Sequence, residues 1–285
     1  MESVEIPVAG GALHALRFGE GPRVVLAAHG LTASAMSYLA VARHLPPDWS
    51  LVALDLRGRG GSSTVGGPYG MTAHAADLAS AAEHLGAPVV LAGQSMGAYA
   101  ALRAARLRPE LFSRVVLIDG GLPLPAPEGM DPDDVLWLTV GPAIARLTET
   151  YADIDAYVDF FRAHPALGGD WTEDMAAYVR YDAVGGPGAV RSRTSGDAVR
   201  ADGRDLIVDA ASFGDDLERV TVPTLLLHAP RGMLGQEPGF HPQPLVDHWV
   251  GRAPALSAEL VRDTNHYTIL MADRAAAMVA ARLTS

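Results

Sequence analysis

Short apolar runs bounded by turn residues recur along the chain at residues 24–28, 51–54, 89–92, 115–118 and 224–228. Runs of this length without polar alternation are the pattern of strands buried on both faces of a parallel sheet. Helical stretches lie among them at residues 35–45, 72–85 and 96–107, with a last one at 273–283. Strand and helix therefore alternate, which predicts an α/β fold: a mostly parallel sheet with helices on both faces. The opening residues 4–8 and 12–18, joined at Gly10-Gly11, read as an antiparallel hairpin leading into that sheet.

The alternation stops after Ile118-Asp119-Gly120-Gly121 and resumes at Val220-Thr221-Val222-Pro223-Thr224. Helical patterns at 135–147, 154–163 and 172–181 fill the interval, separated by Gly and Pro clusters. They are expected to form a helical cap over the sheet edge where strands end, the place where open α/β sheets bind ligands. The predicted organisation is a core of residues 1–120 and 217–285 with a cap or lid insertion at 121–216. Composition sharpens that division, because residues 121–216 hold 18 acids against 7 arginines and thus the whole net charge of -11. They also hold nine of the eighteen Phe, Trp and Tyr residues. Trp137, Leu138, Tyr157, Phe160, Phe161, Trp171 and Tyr178 are candidates for an apolar pocket wall.

With 285 residues, 49% of them hydrophobic and 19% charged, the chain has an ordinary globular composition and enough length for a sizeable core. The start, Met1-Glu2-Ser3-Val4, has neither a basic head nor an apolar segment, and no run approaches a membrane span, so a cytoplasmic protein is expected. The acidic balance argues against nucleic acid or an anionic membrane as a partner. Cysteine is absent, which removes disulfides and thiol nucleophiles. All 22 basic residues are arginines, which excludes Schiff-base and Walker A lysine chemistry. No His and carboxylate spacing typical of a metal set stands out, and no cofactor is expected.

The run at 89–92 ends in Gly93-Gln94-Ser95-Met96-Gly97 and continues as a helix. A serine attacks a carbonyl only if its oxygen is held clear of the chain, and a strand-to-helix turn achieves this at a cost in backbone strain. Ser95 is therefore the candidate nucleophile, with the following helix N-terminus aimed at any oxyanion that forms beside it.

Together with His29-Gly30-Leu31, Asp55-Leu56-Arg57-Gly58-Arg59-Gly60-Gly61-Ser62 and Asp263-Thr264-Asn265-His266, this elbow resembles the α/β-hydrolase family over nearly the whole core. The resemblance implies an α/β-hydrolase fold, His266 as base, and an oxyanion hole made by the backbone N–H groups of Leu31 and Met96. It also implies that His29 braces its loop and that Asp55, Arg57 and Gly58 form a structural turn. The acid departs from the usual family pattern: the loop after 224–228 is Ala229-Pro230-Arg231-Gly232, with no acid before Glu237. Some members, haloalkane dehalogenases among them, place it after the preceding strand, a position that Asp119 occupies here. Asp119 is the preferred acid and Glu237 the next, while Asp263 lies too near His266 in sequence to orient it.

Serine in the elbow argues against dehalogenase and epoxide hydrolase chemistry, which need an aspartate there. The expected activity is hydrolysis of a small or medium, largely apolar carboxylic ester through an acyl-enzyme, with the small-molecule ester as partner. A lactonase, a C–C bond hydrolase or a perhydrolase could use the same triad. A ligand-binding protein on the same scaffold is an alternative of another class.

Overall fold

The apolar runs assemble into one eight-stranded sheet in the computed structural model, which describes residues 1–123 and 129–285. Residues 124–128, near the start of the expected insertion, lie outside the described residues. In chain order the first elements are β1 (Glu2–Val8), β2 (Gly11–Phe18), β3 (Arg23–Ala28), α1 (Leu39–Ala42), β4 (Trp49–Leu54), α2 (Met71–His84), β5 (Val89–Gln94), α3 (Met96–Leu107) and β6 (Phe112–Ile118). Then come α4 (Pro132–Ala145), α5 (Ile154–Arg162), α6 (Glu173–Asp182), a ribbon of β7 (Ala183–Val184) and β8 (Arg191–Ser192), α7 (Gly196–Val208) and α8 (Ala210–Arg219). The last elements are β9 (Thr224–His228), α9 (Gln243–Arg252), β10 (Leu256–Leu260), α10 (Thr268–Met271) and α11 (Asp273–Thr284).

The spatial order is β1-β2-β4-β3-β5-β6-β9-β10. β1 and β2 form the antiparallel hairpin, β2 is antiparallel to β4, and the strands from β4 onward run parallel. Every residue of β5 is buried, which is why it reads as an apolar run. Apolar residues of α2, α3, α8 and α9 pack on one face of the sheet, and those of α1, α10 and α11 on the other. β4 and β5 flank β3 on opposite sides, so the connections change direction at β3. The crevice at the carboxyl ends of β3 and β5 is thus a topological switch point. Among the described residues no helix is long and apolar enough to cross a membrane.

Two local differences from expectation have physical causes. Residues 35–45 form a 3-10 turn, Ala35–Tyr38, followed by the single turn of α1. Pro46-Pro47 bars further helix, and Asp55 accepts the Ala35 N–H at 2.8 Å, tying the first turn to the end of β4. Helices α7, α8 and α9 carry weak sequence signals: α7 buries Asp202 and contains Gly203, and α9 begins at a proline-rich loop. Gly203 serves packing, since a Cβ there would lie 2.5 Å from Leu136 Cδ1 on α4. Helix α8 runs across the expected boundary at residue 216 and packs on α3, with Phe213 edge-on to Tyr99 and Asp216 bonded to Arg103.

The helical segment between β6 and β9 is tied to the rest of the core by polar contacts on two sides. On α6, Tyr181 donates to Asp55 Oδ2 at 2.5 Å. On α7, the fully buried Asp202 accepts from Arg59 Nη1 at 2.5 Å, His74 Nε2 at 2.9 Å and the Gly70 N–H at 2.6 Å. Burial raises the Asp202 pKa, but the His74 hydrogen bond and the His74 and Arg59 charges reverse this and leave it below its ordinary value. Removing one partner of such a pair strands a buried charge, at a cost of about 3–5 kcal/mol. Asp202→Ala is therefore expected to lower the urea unfolding free energy by an amount in that range. Asp133→Ala, which breaks the exposed pair with Arg204, is expected to leave it nearly unchanged; equal effects on the urea midpoint would contradict the anchoring role.

Candidate active site

Ser95 occupies the turn between β5 and α3 with φ 54° and ψ -122°, in the left-handed region that side chains avoid. Glycines make the turn possible through close approach. A Cβ on Gly93 would stand 2.2 Å from the Gly97 carbonyl oxygen, and one on Gly97 would stand 2.3 Å from that of Ala28. The Ser95 N–H donates to the Ile118 carbonyl at 2.9 Å, which fastens the turn to the end of β6.

At that end sits Asp119, also at positive φ, 45°. Its N–H donates to the Leu227 carbonyl at 2.7 Å, and its Oδ1 accepts the Ala229 N–H at 3.0 Å, so β9 and its loop hold both its backbone and its side chain. Oδ2 accepts from His266 Nδ1 at 2.7 Å. Burial pushes the Asp119 carboxyl upward, yet the His266 hydrogen bond, the neighbouring imidazoles and the Ala229 N–H outweigh it and hold it below the ordinary range. Glu237 is exposed, whereas Asp119 is the carboxylate on the His266 ring. Asp263, at φ 62°, shapes the turn before His266. Arg231, in the loop after β9, donates to the Asp263 and Thr264 carbonyls at 3.1 and 3.3 Å.

The far nitrogen of His266, Nε2, faces Gln94 Nε2 at 3.4 Å, and that amide also donates to the His266 carbonyl at 3.2 Å. With Nδ1–H directed at Asp119, Nε2 carries a lone pair, which the Gln94 amide meets. Ser95 Oγ instead points toward the His29–Leu31 loop, 3.6 Å from where a Gly30 Cβ would be. Phe240 covers the imidazole at 4.6 Å between ring centroids.

His29 is fully buried, and burial lowers its pKa to about 4, so the ring is neutral. Its Nε2 accepts the Leu56 N–H at 3.0 Å, which leaves Nδ1–H to donate to the Gly30 carbonyl at 2.8 Å. A trans peptide points its N–H opposite its carbonyl. Pinning the Gly30 oxygen thus turns the Leu31 N–H the other way, and among the described residues neither it nor the Met96 N–H has an internal acceptor. Arg59 steadies both residues: Nε donates to the Leu31 carbonyl at 3.1 Å and Nη2 lies 3.9 Å from Met96 Sδ. Asp55, Arg57 and Gly58 build the adjoining turn, with Arg57 in a bidentate pair with Asp77 at 2.6 and 2.7 Å.

Ser95 and His266 border two cavities. A small one of about 60 Å³ runs along the His29–Leu31 loop past Tyr178. A larger one of about 310 Å³ lies beneath α4 and α7, walled by Val135, Leu136, Val140, Leu206 and Ile207, with Leu31, Met96 and Asp119 at its base. Of the pocket-wall candidates, Tyr178 reaches the small cavity, and with Leu138, Phe160 and Phe161 it lines a third one of about 180 Å³. Tyr157 and Trp171 build the interior of the insertion, and Trp137 is 58% exposed. Aliphatic residues therefore wall the larger chamber, which sequence reasoning missed along with Gln94, Arg59, Phe240 and His241. Among the described residues no group of three His, Asp or Glu side chains could hold a metal ion.

Comparison with known proteins follows the same strands. The chain is 32% identical to a lipase of Mycobacterium tuberculosis over 151 residues, 50% of this chain and 57% of the lipase. It is 39% identical to the N-formylmaleamate deformylase of Pseudomonas putida over 110 residues, 37% of this chain and 40% of the deformylase. The matches thus span about half or less of each relative's length. A crystal structure of E-2-(acetamidomethylene)succinate hydrolase shares the fold, with a TM-score of 0.82 at 20% identity over 99% of this chain and 98% of that one. The profile of the alpha/beta hydrolase family matches residues 24–281, from β3 into the last helix and across the strand ends that carry Ser95, Asp119 and His266, and the chain belongs to that family.

Proposed function

We propose that the chain is a serine hydrolase that cleaves carboxylic esters with small or medium, largely apolar acyl groups through an acyl-enzyme. The observation that carries this reading is the buried Asp119–His266 contact of 2.7 Å beside a chamber that also holds Ser95 and two unpaired backbone N–H groups. In the proposed cycle, Ser95 Oγ rotates to replace the Gln94 amide at His266 Nε2, attacks the ester carbon and gives its proton to Nε2. The oxyanion meets the Leu31 and Met96 N–H groups, while Asp119 steadies the imidazolium. His266 then protonates the departing alkoxide, and a water deprotonated by the same nitrogen releases the acid and Ser95.

A chamber of about 310 Å³ with aliphatic walls suits an acyl chain of a few carbons and no bulky ring system. The acidic surface disfavours polyanionic partners, so we place the substrate among small neutral esters and not with nucleic acid or membranes. Cleavage of an N-formyl compound is a second reading, favoured by the deformylase relative. The deciding experiment combines intact-mass labelling by a fluorophosphonate, beside Ser95→Ala, with turnover of p-nitrophenyl acetate through decanoate and of an N-formyl amide. Stoichiometric labelling of the parent alone, with an ester optimum at a middle chain length, is expected. Labelling with turnover of the formyl amide only would favour the second reading, and no labelling with no turnover would overturn both.

In Asp119→Asn, the Ala229 N–H still needs an oxygen, so the amide turns its NH2 toward His266 Nδ1. The imidazole must then carry its proton on Nε2 and cannot accept from Ser95. A fall in kcat of about 10⁴-fold is expected, with the melting temperature little changed, and Glu237→Gln should leave kcat intact; the reverse pattern would transfer the acid role to Glu237. His29→Ala leaves the Gly30 carbonyl held by the Ala33 N–H alone, and loss of one aligned hole donor predicts a kcat about a hundredfold lower or more at similar KM. An unchanged kcat would show that the loop is held without His29.

A further inference from the structure

His241 lies in the loop between β9 and α9, is only 2% exposed, and lines the larger chamber together with Ser95 and His266. Both ring nitrogens are shielded from solvent and neither has a hydrogen-bond partner among the described residues, so the ring meets a group in the chamber by turning. Burial lowers its pKa to about 4 against the upward pull of the Asp119 carboxylate and the Phe240 carbonyl, so the ring is neutral. A neutral imidazole offers one N–H donor and one bare acceptor nitrogen. Native interiors rarely leave both unmet, unless something bound supplies the partner.

Apart from Ser95, His266 and the Leu31 and Met96 N–H groups assigned to the proposed reaction, the other polar side chains around the chamber are engaged. Thr139 Oγ1 donates to the Val135 carbonyl at 2.8 Å, Tyr99 donates to the Leu122 carbonyl at 2.7 Å, and Asp119 is held by His266 and Ala229. Outside the groups assigned to the reaction, His241 is the lining side chain whose polar atoms are both without a hydrogen-bond partner among the described residues. A negative partner is disfavoured there, because the ring is neutral and the Asp119 carboxylate stands nearby.

Resting on the reading of Ser95 as an ester nucleophile, we propose that His241 is a specificity-determining residue that selects acyl groups carrying a neutral hydrogen-bonding group, a hydroxyl above all. The substrate class is then hydroxyacyl esters in place of plain alkanoyl esters. A site built to hydrogen-bond a hydroxyl discriminates against the analogue that lacks it, because the buried imidazole is left unmet.

The test compares p-nitrophenyl hexanoate with its 3-hydroxy and 6-hydroxy derivatives, on the parent, His241→Phe and His241→Asn, each first checked for an unaltered fold by circular dichroism. In the parent, at least one hydroxy ester is expected to exceed hexanoate in kcat/KM by about tenfold or more. The Phe variant should bring that ratio to one or below, and the Asn variant should restore part of it. Equilibrium binding of the same esters to Ser95→Ala, followed by the histidine ring resonances in ¹H–¹⁵N spectra, reads the preference without turnover. A hydroxyl preference in binding with no turnover in the parent would sink the esterase reading alone. Turnover with equal ratios in the parent and the Phe variant would sink the role of His241 alone, as would a His241 resonance unmoved by the hydroxy esters.

Discussion

Three backbone segments meet at one point, and the site exists because nothing but hydrogen separates them. The end of β3, the Ser95 turn and the start of the loop after β6 come together where Gly97 faces the Ala28 carbonyl and Gly120 faces that of Ser95, with room for no Cβ on either. A single methyl group at 97 or 120 would force the strand ends apart. The chemistry-bearing atoms ride on those ends, so their spacing is inherited from backbone packing and owes little to side-chain rotamers. Of the three non-glycine residues at positive φ among the described residues, Ser95 and Asp119 fall on these segments and Asp263 in the turn after β10 that leads to His266. Strain is held where the surrounding sheet can over-determine it.

Around this point the electrostatics are divided between groups that are neutral and groups that are paired. His29 and His241 are buried deeply enough to lose their charge, while Asp119, Asp202 and Asp55 keep theirs because each gathers several donors. A buried carboxylate with two or more N–H partners is a fixed negative centre. The chamber therefore presents a largely aliphatic wall, the imidazoles of His241 and His266 and two backbone N–H groups, with Asp119 turned toward His266.

The β-strands of the core were legible because full burial erases polar alternation, and Ser95 was legible because only glycines tolerate the approach that its turn demands. His266 and Leu31 came from motif resemblance, and the structure brings both to the border of the larger chamber with Ser95. What stayed hidden is what depends on long-range contact. Gln94 reads as one residue of a turn, yet it meets His266 across 172 positions. Arg59 and Asp202, 143 positions apart, read as ordinary surface charges until the fold buries them together. His241 sits in a Gly-Phe-His-Pro loop with no periodicity, and only the absence of partners in three dimensions marks it. Of the apolar pocket-wall candidates, Tyr178, Leu138, Phe160 and Phe161 reach cavities, whereas Tyr157 and Trp171 pack among the helices between β6 and β9.

The Arg59–Asp202 contact has a mechanical side. Helix α7 is tied down by buried charge, and α6 by Tyr181 on Asp55, whereas α4 rests on α7 through Leu136, Val199 and Ile144 and through the exposed Asp133–Arg204 pair. Lifting α7 would withdraw Asp202 and leave the Arg59 guanidinium, which also holds the Leu31 carbonyl, buried without its charge partner. Sliding α4 disturbs only apolar contacts and a solvent-screened pair. Any opening of the chamber is therefore lopsided, like a door whose hinge post is also a wall of the room.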